Sequence, residues 1–256
     1  MSLSRRSFLN RSGWLTASAI GLPAFAPSFS MAEAPPKQKP RHIVHLVSDG
    51  MSQGTLTGAD HLSHLLRQRG LAWMQLYRNP AAVSALVDMR SLNSLVTDSA
   101  AASSSWGSGS RVKNGILNVL PDGRNLHTLY QLFGEAGWRR GLVTTTEITH
   151  ATPAGFVATC GREAAETVAL QYLERHIEVL LGGGRKFFDP TQRKDKRDLL
   201  AEYRQKGYIV METRSALELA STDRRWLGVF AASHLPFTLD RLSNAEDLKK
   251  SHLWPR

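Results

Sequence analysis

An acid, a hydroxyl and three alanines stand in a row at Asp98-Ser99-Ala100-Ala101-Ala102, directly after a short β-prone run, Leu95-Val96-Thr97. Alanine is the best helix former, so Ser99 falls in or near the first turn of a helix. Backbone N–H groups there lack intrahelical partners, and the dipole is positive at that end. Such a place suits an anion, phosphate above all, and a serine held against a bound phosphate can act as a nucleophile. The same residues can also be an Asp-Ser helix cap that only satisfies backbone donors, and caps are far commoner than nucleophiles. Asp49, at the end of an apolar run, is either a carboxylate for a divalent cation or an Asp-Gly turn residue. His150 and Thr152 are either ligating groups or the start of a helix with Pro153 in its first turn.

Other groups with chemical potential have plainer readings. Cys160 is a small apolar residue unless something activates its thiol, and nothing around it does so. Asp60, His61 and His64 share a helical spacing that could bind zinc, although such groups are more often a hydrated helix face. Gly182-Gly183-Gly184-Arg185 lacks the Lys-Ser/Thr of a phosphate-binding loop and reads as a tight turn after a strand. Basic residues from Arg193 to Arg197 carry Asp195 among them, so they read as a solvated loop and helix face, and no nucleic-acid groove is expected.

The elements that must position these groups follow from pattern. His42 to Val47 is a strand by composition and length, and a helix then runs toward Arg69 with Leu62, Leu65 and Leu66 on one face. Ala82 to Val87 and Leu95 to Thr97 are β-prone, and the Ala/Ser-rich helix begins at Ser99. A Pro121-Asp122-Gly123 turn precedes an amphipathic helix through Leu126, Leu129, Tyr130 and Phe133 that stops at Gly134 and Gly137. Strands are expected at 140–145, 177–181, 208–211 and 226–231. Helices are expected around Ala165 to Leu173, 199–204 and 216–220. Strands alternating with helices predict an α/β fold, a mostly parallel central sheet with helices on both faces. Ligands bind beyond the carboxyl ends of strands in such sheets, so the loops at Asp49, at Asp98-Ser99 and after Thr145 should meet at one edge.

Residues 1–32 stand apart from that fold. Ser4-Arg5-Arg6-Ser7-Phe8-Leu9 has the twin-arginine pattern of an export signal, Gly13 to Phe29 is moderately apolar, and Ser30-Met31-Ala32 offers a cleavage site. Pro23 and Pro27 interrupt a run already too short to span a bilayer comfortably, so no stable membrane anchor is expected. The expected destination is the periplasm or the cell exterior, with 33–40 as a Pro/Lys-rich linker. The 256-residue chain has a formal charge of +10. Without Arg5, Arg6 and Arg11 it would hold 29 basic against 22 acidic residues, a net of +7, a field that attracts phosphate esters. Cys160 is the one cysteine, which excludes an internal disulfide.

Taken together, Val47-Ser48-Asp49-Gly50-Met51, Val96-Thr97-Asp98-Ser99-Ala100-Ala101 and Ile148-Thr149-His150-Ala151-Thr152-Pro153-Ala154 resemble alkaline phosphatases in order and spacing. Val179 to Arg185 adds a fourth match, and the resemblance runs from about Arg41 onward. It implies zinc and magnesium as cofactors, phosphate monoesters as substrates and a homodimer as the usual assembly. Ser99 then corresponds to a nucleophile that becomes a phosphoserine. Asp49 corresponds to a carboxylate bridging a zinc and a magnesium site, and Thr152 to a ligand of the third metal. His150 stands where some members carry aspartate and others histidine. Asp98 corresponds to the acid that orients a phosphate-clamping arginine, and Arg162 is the arginine that fits, one residue short of the usual spacing.

The resemblance also marks a departure. The family's remaining zinc ligands lie downstream of the matched region, and after Thr152 the histidines are His176, His234 and His252, none in an Asp-His or Asp-x-x-x-His spacing. Residues 41–256 are therefore expected to be the N-terminal part of an alkaline phosphatase-like domain, incomplete at its C-terminus, with negligible turnover of its own. Two alternatives stand beside the phosphomonoesterase: a non-catalytic fragment that binds at most phosphate or one metal, and a sulfatase or phosphodiesterase of the same superfamily.

Overall fold

The computed structural model describes residues 42–238 and 240. The expected leader and linker, and the C-terminal His252, lie outside the described residues. The chain divides into two units, Met1–Val47 and Ser48–Arg256. In the first, His42 to Val47 is exposed and irregular, with Val44 77% exposed. The strand expected there is not among the ladders of the described residues, and an apolar run becomes a strand only when a neighbouring strand supplies a ladder.

The second unit begins with α1 (Gln53–Arg67) and α2 (Ala72–Leu76). Ser52 caps α1 by accepting the Thr55 N–H, and Gln68 ends it in a left-handed conformation. Leu62, Leu65 and Leu66 lie on α1 as expected, but all three are exposed. No strand forms at 82–87 or 95–97; Val83 and Leu86 are 96% and 99% exposed, again without a ladder partner. Next come α3 (Ser99–Ser108), β1 (Ile116–Leu117) and α4 (Leu129–Glu135), the last opened by a capping box between Thr128 and Gln131. Then follow β2 (Gly141–Glu147), α5 (Ala151–Ala154), β3 (Cys160–Gly161), α6 (Ala165–Glu174) and β4 (Val179–Gly183). After a 3-10 turn at Arg185–Phe187 come α7 (Leu199–Gln205), β5 (Tyr208–Met211), α8 (Arg214–Glu218) and β6 (Arg225–Val229).

Four of these strands form an all-parallel sheet in the order β2-β4-β6-β5, and β1 pairs antiparallel with β3. This is the expected α/β class. Register places Leu142 beside Leu180 and Leu180 beside Leu227, all buried at the centre of the core. Tyr172, Tyr203 and Tyr208 fill the space between sheet and helices. Each places its hydroxyl on a backbone carbonyl (of Ile148, Ala169 and Ile177), so the apolar rings are buried without orphaning a polar group. Among the described residues no helix is long and apolar enough to cross a membrane.

Candidate active site

Helix α3 owes its position to its first residues. Asp98 is extended, and its Oδ1 accepts the Ala101 N–H at 2.8 Å, so it is the helix cap that its type suggests. Ser99 is thereby the first helical residue. Capping and a chemical role are not exclusive here, because Asp98 has a second oxygen. Its Oδ2 accepts the Gly115 N–H at 2.9 Å and Arg162 Nη1 at 2.9 Å. Burial pushes the Asp98 carboxyl up in pKa, but the Ala101 and Gly115 amides and the Arg162 guanidinium outweigh it and hold it below its ordinary value. The one-residue-short spacing does not prevent Arg162 from reaching Asp98.

Asp49 closes the constellation. Its Oδ2 accepts the Ser99 hydroxyl at 2.9 Å and the Thr152 hydroxyl at 3.0 Å. Three loops distant in sequence thus meet at one carboxylate, although only the one that holds Thr152 follows a strand, β2. Thr152 lies in α5, capped by His150, whose side chain accepts the Thr152 N–H. Burial, followed by the nearby Arg162, lowers the His150 pKa against the opposing pull of Asp49, so the ring is held toward its neutral form.

What fixes α3 against α5 is close backbone approach. A Cβ on Gly107 would stand 1.9 Å from the Gly155 carbonyl oxygen, and a Cβ on Gly155 would stand 2.2 Å from Ser103 Oγ. Ser103 donates its hydroxyl to the Ala151 carbonyl at 2.9 Å. Buried Asn118, at φ 51°, donates its amide to the carbonyls of Gly155 and Ala158, and its own N–H to Ser104 Oγ. The two helices that carry Ser99 and Thr152 are therefore held as one block.

A second polar cluster lies at the carboxyl ends of β2, β4 and β6. Glu147 Oε1 meets Lys186 Nζ at 2.6 Å and the Ser233 hydroxyl at 2.8 Å, and the Glu147 N–H donates to His234 Nδ1 at 3.1 Å. The His234 ring is edge-on to that of His150 at 6.0 Å. Burial opposes ionisation of Glu147, but the bonds from Lys186 and Ser233 prevail and lower its pKa. Sequence reading missed Lys186, Ser233 and His234; their position just past strand ends was the available signal. It also missed Asn114, Gly115 and Asn118, whose one visible mark is the Asn114-Gly115 turn dipeptide.

The remaining candidates are structural. Asp60 accepts the Leu71 N–H at 2.7 Å and stands 3.8 Å from His64, which ties α1 to the following turn. Burial pushes the Cys160 thiol up to about 11, so it is inert as a nucleophile near neutral pH. Gly184, at φ 88°, makes the tight turn expected after β4. Arg193 departs from the expected solvated face: it is 1% exposed, paired with Asp195, and donates to the Phe187 carbonyl at 2.7 Å.

Asp49 and Thr152 offer oxygen ligands, the kind that magnesium takes, and the Ser99 and Thr152 hydroxyls already converge on one Asp49 carboxylate oxygen. Zinc fits less well. It needs three or four nitrogen, sulfur or carboxylate ligands, and among the described residues no three His, Cys, Asp or Glu side chains are grouped to hold a metal.

A parallel α/β sheet thus carries a helix-capping acid, a serine, an arginine and the Asp49 carboxylate in one constellation. The profile of the alkaline phosphatase family matches residues 40–251, and the chain belongs to that family. It is 30% identical over 218 residues to an alkaline phosphatase of Schizosaccharomyces pombe, covering 79% of this chain and 40% of that protein. The crystal structure of the Thermus thermophilus alkaline phosphatase superposes with a TM-score of 0.72 at 41% identity, over 75% of this chain and 40% of that one. A variant of the alkaline phosphatase from the Antarctic bacterium TAB5, with magnesium bound in its M3 site, shares the fold at a TM-score of 0.59 and 24% identity, over 71% of this chain and 51% of that one. The chain thus spans about two fifths of the length of the first two relatives.

Proposed function

We propose that this chain carries the nucleophile-bearing part of a metal-dependent phosphomonoesterase that works through a phosphoserine at Ser99. The observation that carries the reading is the meeting of Ser99 and Thr152 on Asp49 Oδ2, across 50 and 103 residues of sequence, beside the Asp98–Arg162 pair. Ser99 Oγ forms a bond to phosphorus as the ester P–O bond breaks, and the proton that Ser99 gave to Asp49 ends on the departing alcohol. Water then splits the serine–phosphate bond, which restores the hydroxyl and releases inorganic phosphate. Arg162, oriented by Asp98, supports the phosphoryl oxygens with a planar donor fork, and the N–H groups of the first turn of α3 add to it.

Magnesium held by Asp49 and Thr152, with His150 beside them, would supply positive charge against the phosphoryl group. Family resemblance implies zinc as well, but the described donor set does not compose a zinc site, so no step is assigned to it. The predicted consequence is a slow or absent second step. With p-nitrophenyl phosphate, zinc and magnesium, the chain is expected to give a burst of nitrophenolate of at most one equivalent, absent in Ser99→Ala. Release that survives Ser99→Ala refutes the reading, as does a preference for p-nitrophenyl sulfate or the bis-ester, or no burst from any of the three. Residues 1–32 support export by the twin-arginine route to the periplasm or beyond as part of the same proposal.

A further inference from the structure

The segment before the nucleophile poses a physical problem. Leu95 and Val96 are exposed, the β-prone run has no strand beside it among the described residues, and yet Asp98 must be fixed well enough to aim Ser99 and Arg162. Asn114 solves it. Its Oδ1 accepts the Asp98 N–H at 3.1 Å, and its Nδ2 donates to the Val96 carbonyl at 3.0 Å. One primary amide therefore bonds the carbonyl of one residue and the N–H of the residue two further on, flanking Thr97, as a residue's own N–H and C=O do in a neighbouring parallel strand. The side chain takes the place of a neighbouring strand.

Asn114 is itself anchored, since its N–H donates to Asn93 Oδ1 at 2.9 Å. Gly115, next in sequence, sits at φ 81°, a conformation that suits glycine. This turn points its N–H at Asp98 Oδ2, at 2.9 Å, while its carbonyl accepts the Arg162 N–H at 2.9 Å. A single dipeptide thus touches the backbone of Asp98, the carboxylate of Asp98 and the backbone of Arg162, whose guanidinium returns to that carboxylate.

We infer that Asn114-Gly115 is the positioning element of the phosphate clamp, with Asn114 holding the Val96–Asp98 backbone in place of a strand and Gly115 joining Asp98 to Arg162. The inference rests on the proposed phosphate-binding role of Arg162, but the coupling itself is open to a separate measurement. Neither residue touches the phosphoryl group; both act through Asp98 and Arg162.

Two measurements on the full chain test it. In amide hydrogen exchange, Asn114→Ala should speed exchange by about tenfold, the effect of losing one hydrogen bond, at Gly115 and Arg162 as well as at Asp98, while Leu180 and Leu227 in the sheet stay unchanged. The Asn114 side chain bonds neither the Gly115 nor the Arg162 amide, so their response reports coupling. Acceleration at Asp98 alone, or throughout the sheet, overturns the inference. In a phosphorus NMR titration with inorganic phosphate, Asn114→Ala should weaken binding about tenfold and weaken it no further in an Arg162→Ala background. Additive losses overturn the inference. If the unaltered chain binds no phosphate, the clamp role of Arg162 fails, and the exchange experiment still decides whether Asn114 positions it.

Discussion

Gly107→Ala sets two effects of opposite sign against each other. Alanine in the last turn of α3 should gain at most about 1 kcal/mol of helix propensity over glycine. The added Cβ, however, would stand 1.9 Å from the Gly155 carbonyl oxygen and 2.7 Å from its carbon, where real Cβ atoms do not come within 3.0 Å. The obstacle is backbone, not the end of a flexible side chain, so α3 and the Gly155 turn must part by about 1 Å. Overpacking of a tight interior costs about 1–3 kcal/mol, and a backbone obstacle places this site at or above the upper end. The net expectation is a loss of about 2 kcal/mol, which in a domain of this size lowers Tm by about 4–8 °C. Thermal unfolding followed by circular dichroism measures it. Ser105→Ala, on the same helix but partly exposed, serves as a control without the clash. If Gly107→Ala leaves Tm unchanged or raises it, the close contact between the Ser99 and Thr152 helices does not exist as described.

The remaining expectations follow from the same geometry. Asn118→Ala should cost about 2–4 kcal/mol by chemical denaturation, because it strips the Gly155 and Ala158 carbonyls of their donor and forces alanine to φ 51°; Asn118→Gly should recover the backbone part alone. Asp98 has a lowered pKa in the folded state, so its stabilisation is complete above its unfolded value near 3.8 and is lost as the pH falls through the folded value. The stability gap between the unaltered chain and Asp98→Asn should therefore be widest above pH ~4 and close toward acid, and a gap independent of pH would count against the Arg162–Asp98 pair. Replacing Arg5 and Arg6 together by lysine should leave precursor in the cytoplasm, whereas normal export of that variant would remove the twin-arginine assignment.

Much of the sheet was legible because its strands are buried and apolar, with helices between them at ordinary spacing. Leu180 and Leu227 face no choice of environment, and residues 177–181 and 208–211 read correctly to within a residue or two. The misses at 42–47, 82–87 and 95–97 share one cause. β-propensity describes fitness for a pleated, half-buried surface, and it creates no partner; where none pairs, Val83 and Leu86 are simply exposed. The site was legible at Asp49, Asp98, Ser99 and Thr152 as a group from the ordered motifs, although of the strands expected before them only β2, ahead of Thr152, forms among the described residues. Its supports were not. Asn114, Asn118 and Gly107 act through single hydrogen bonds or through the lack of a side chain, and neither leaves a periodic mark. Arg193 shows the converse error, since charge predicts solvent while the Asp195 pair and a carbonyl allow burial.

The central claim is that Ser99 Oγ is the atom to which phosphate is transferred. Acid-quenched digestion after brief exposure to p-nitrophenyl phosphate, zinc and magnesium, followed by mass spectrometry of the peptide spanning α3, locates that phosphate directly. Phosphoserine at position 99, lost in Asp49→Ala as well as in Ser99→Ala, is the predicted result. Phosphate on another residue, or a phosphorylated Ser99 indifferent to Asp49, would contradict the account.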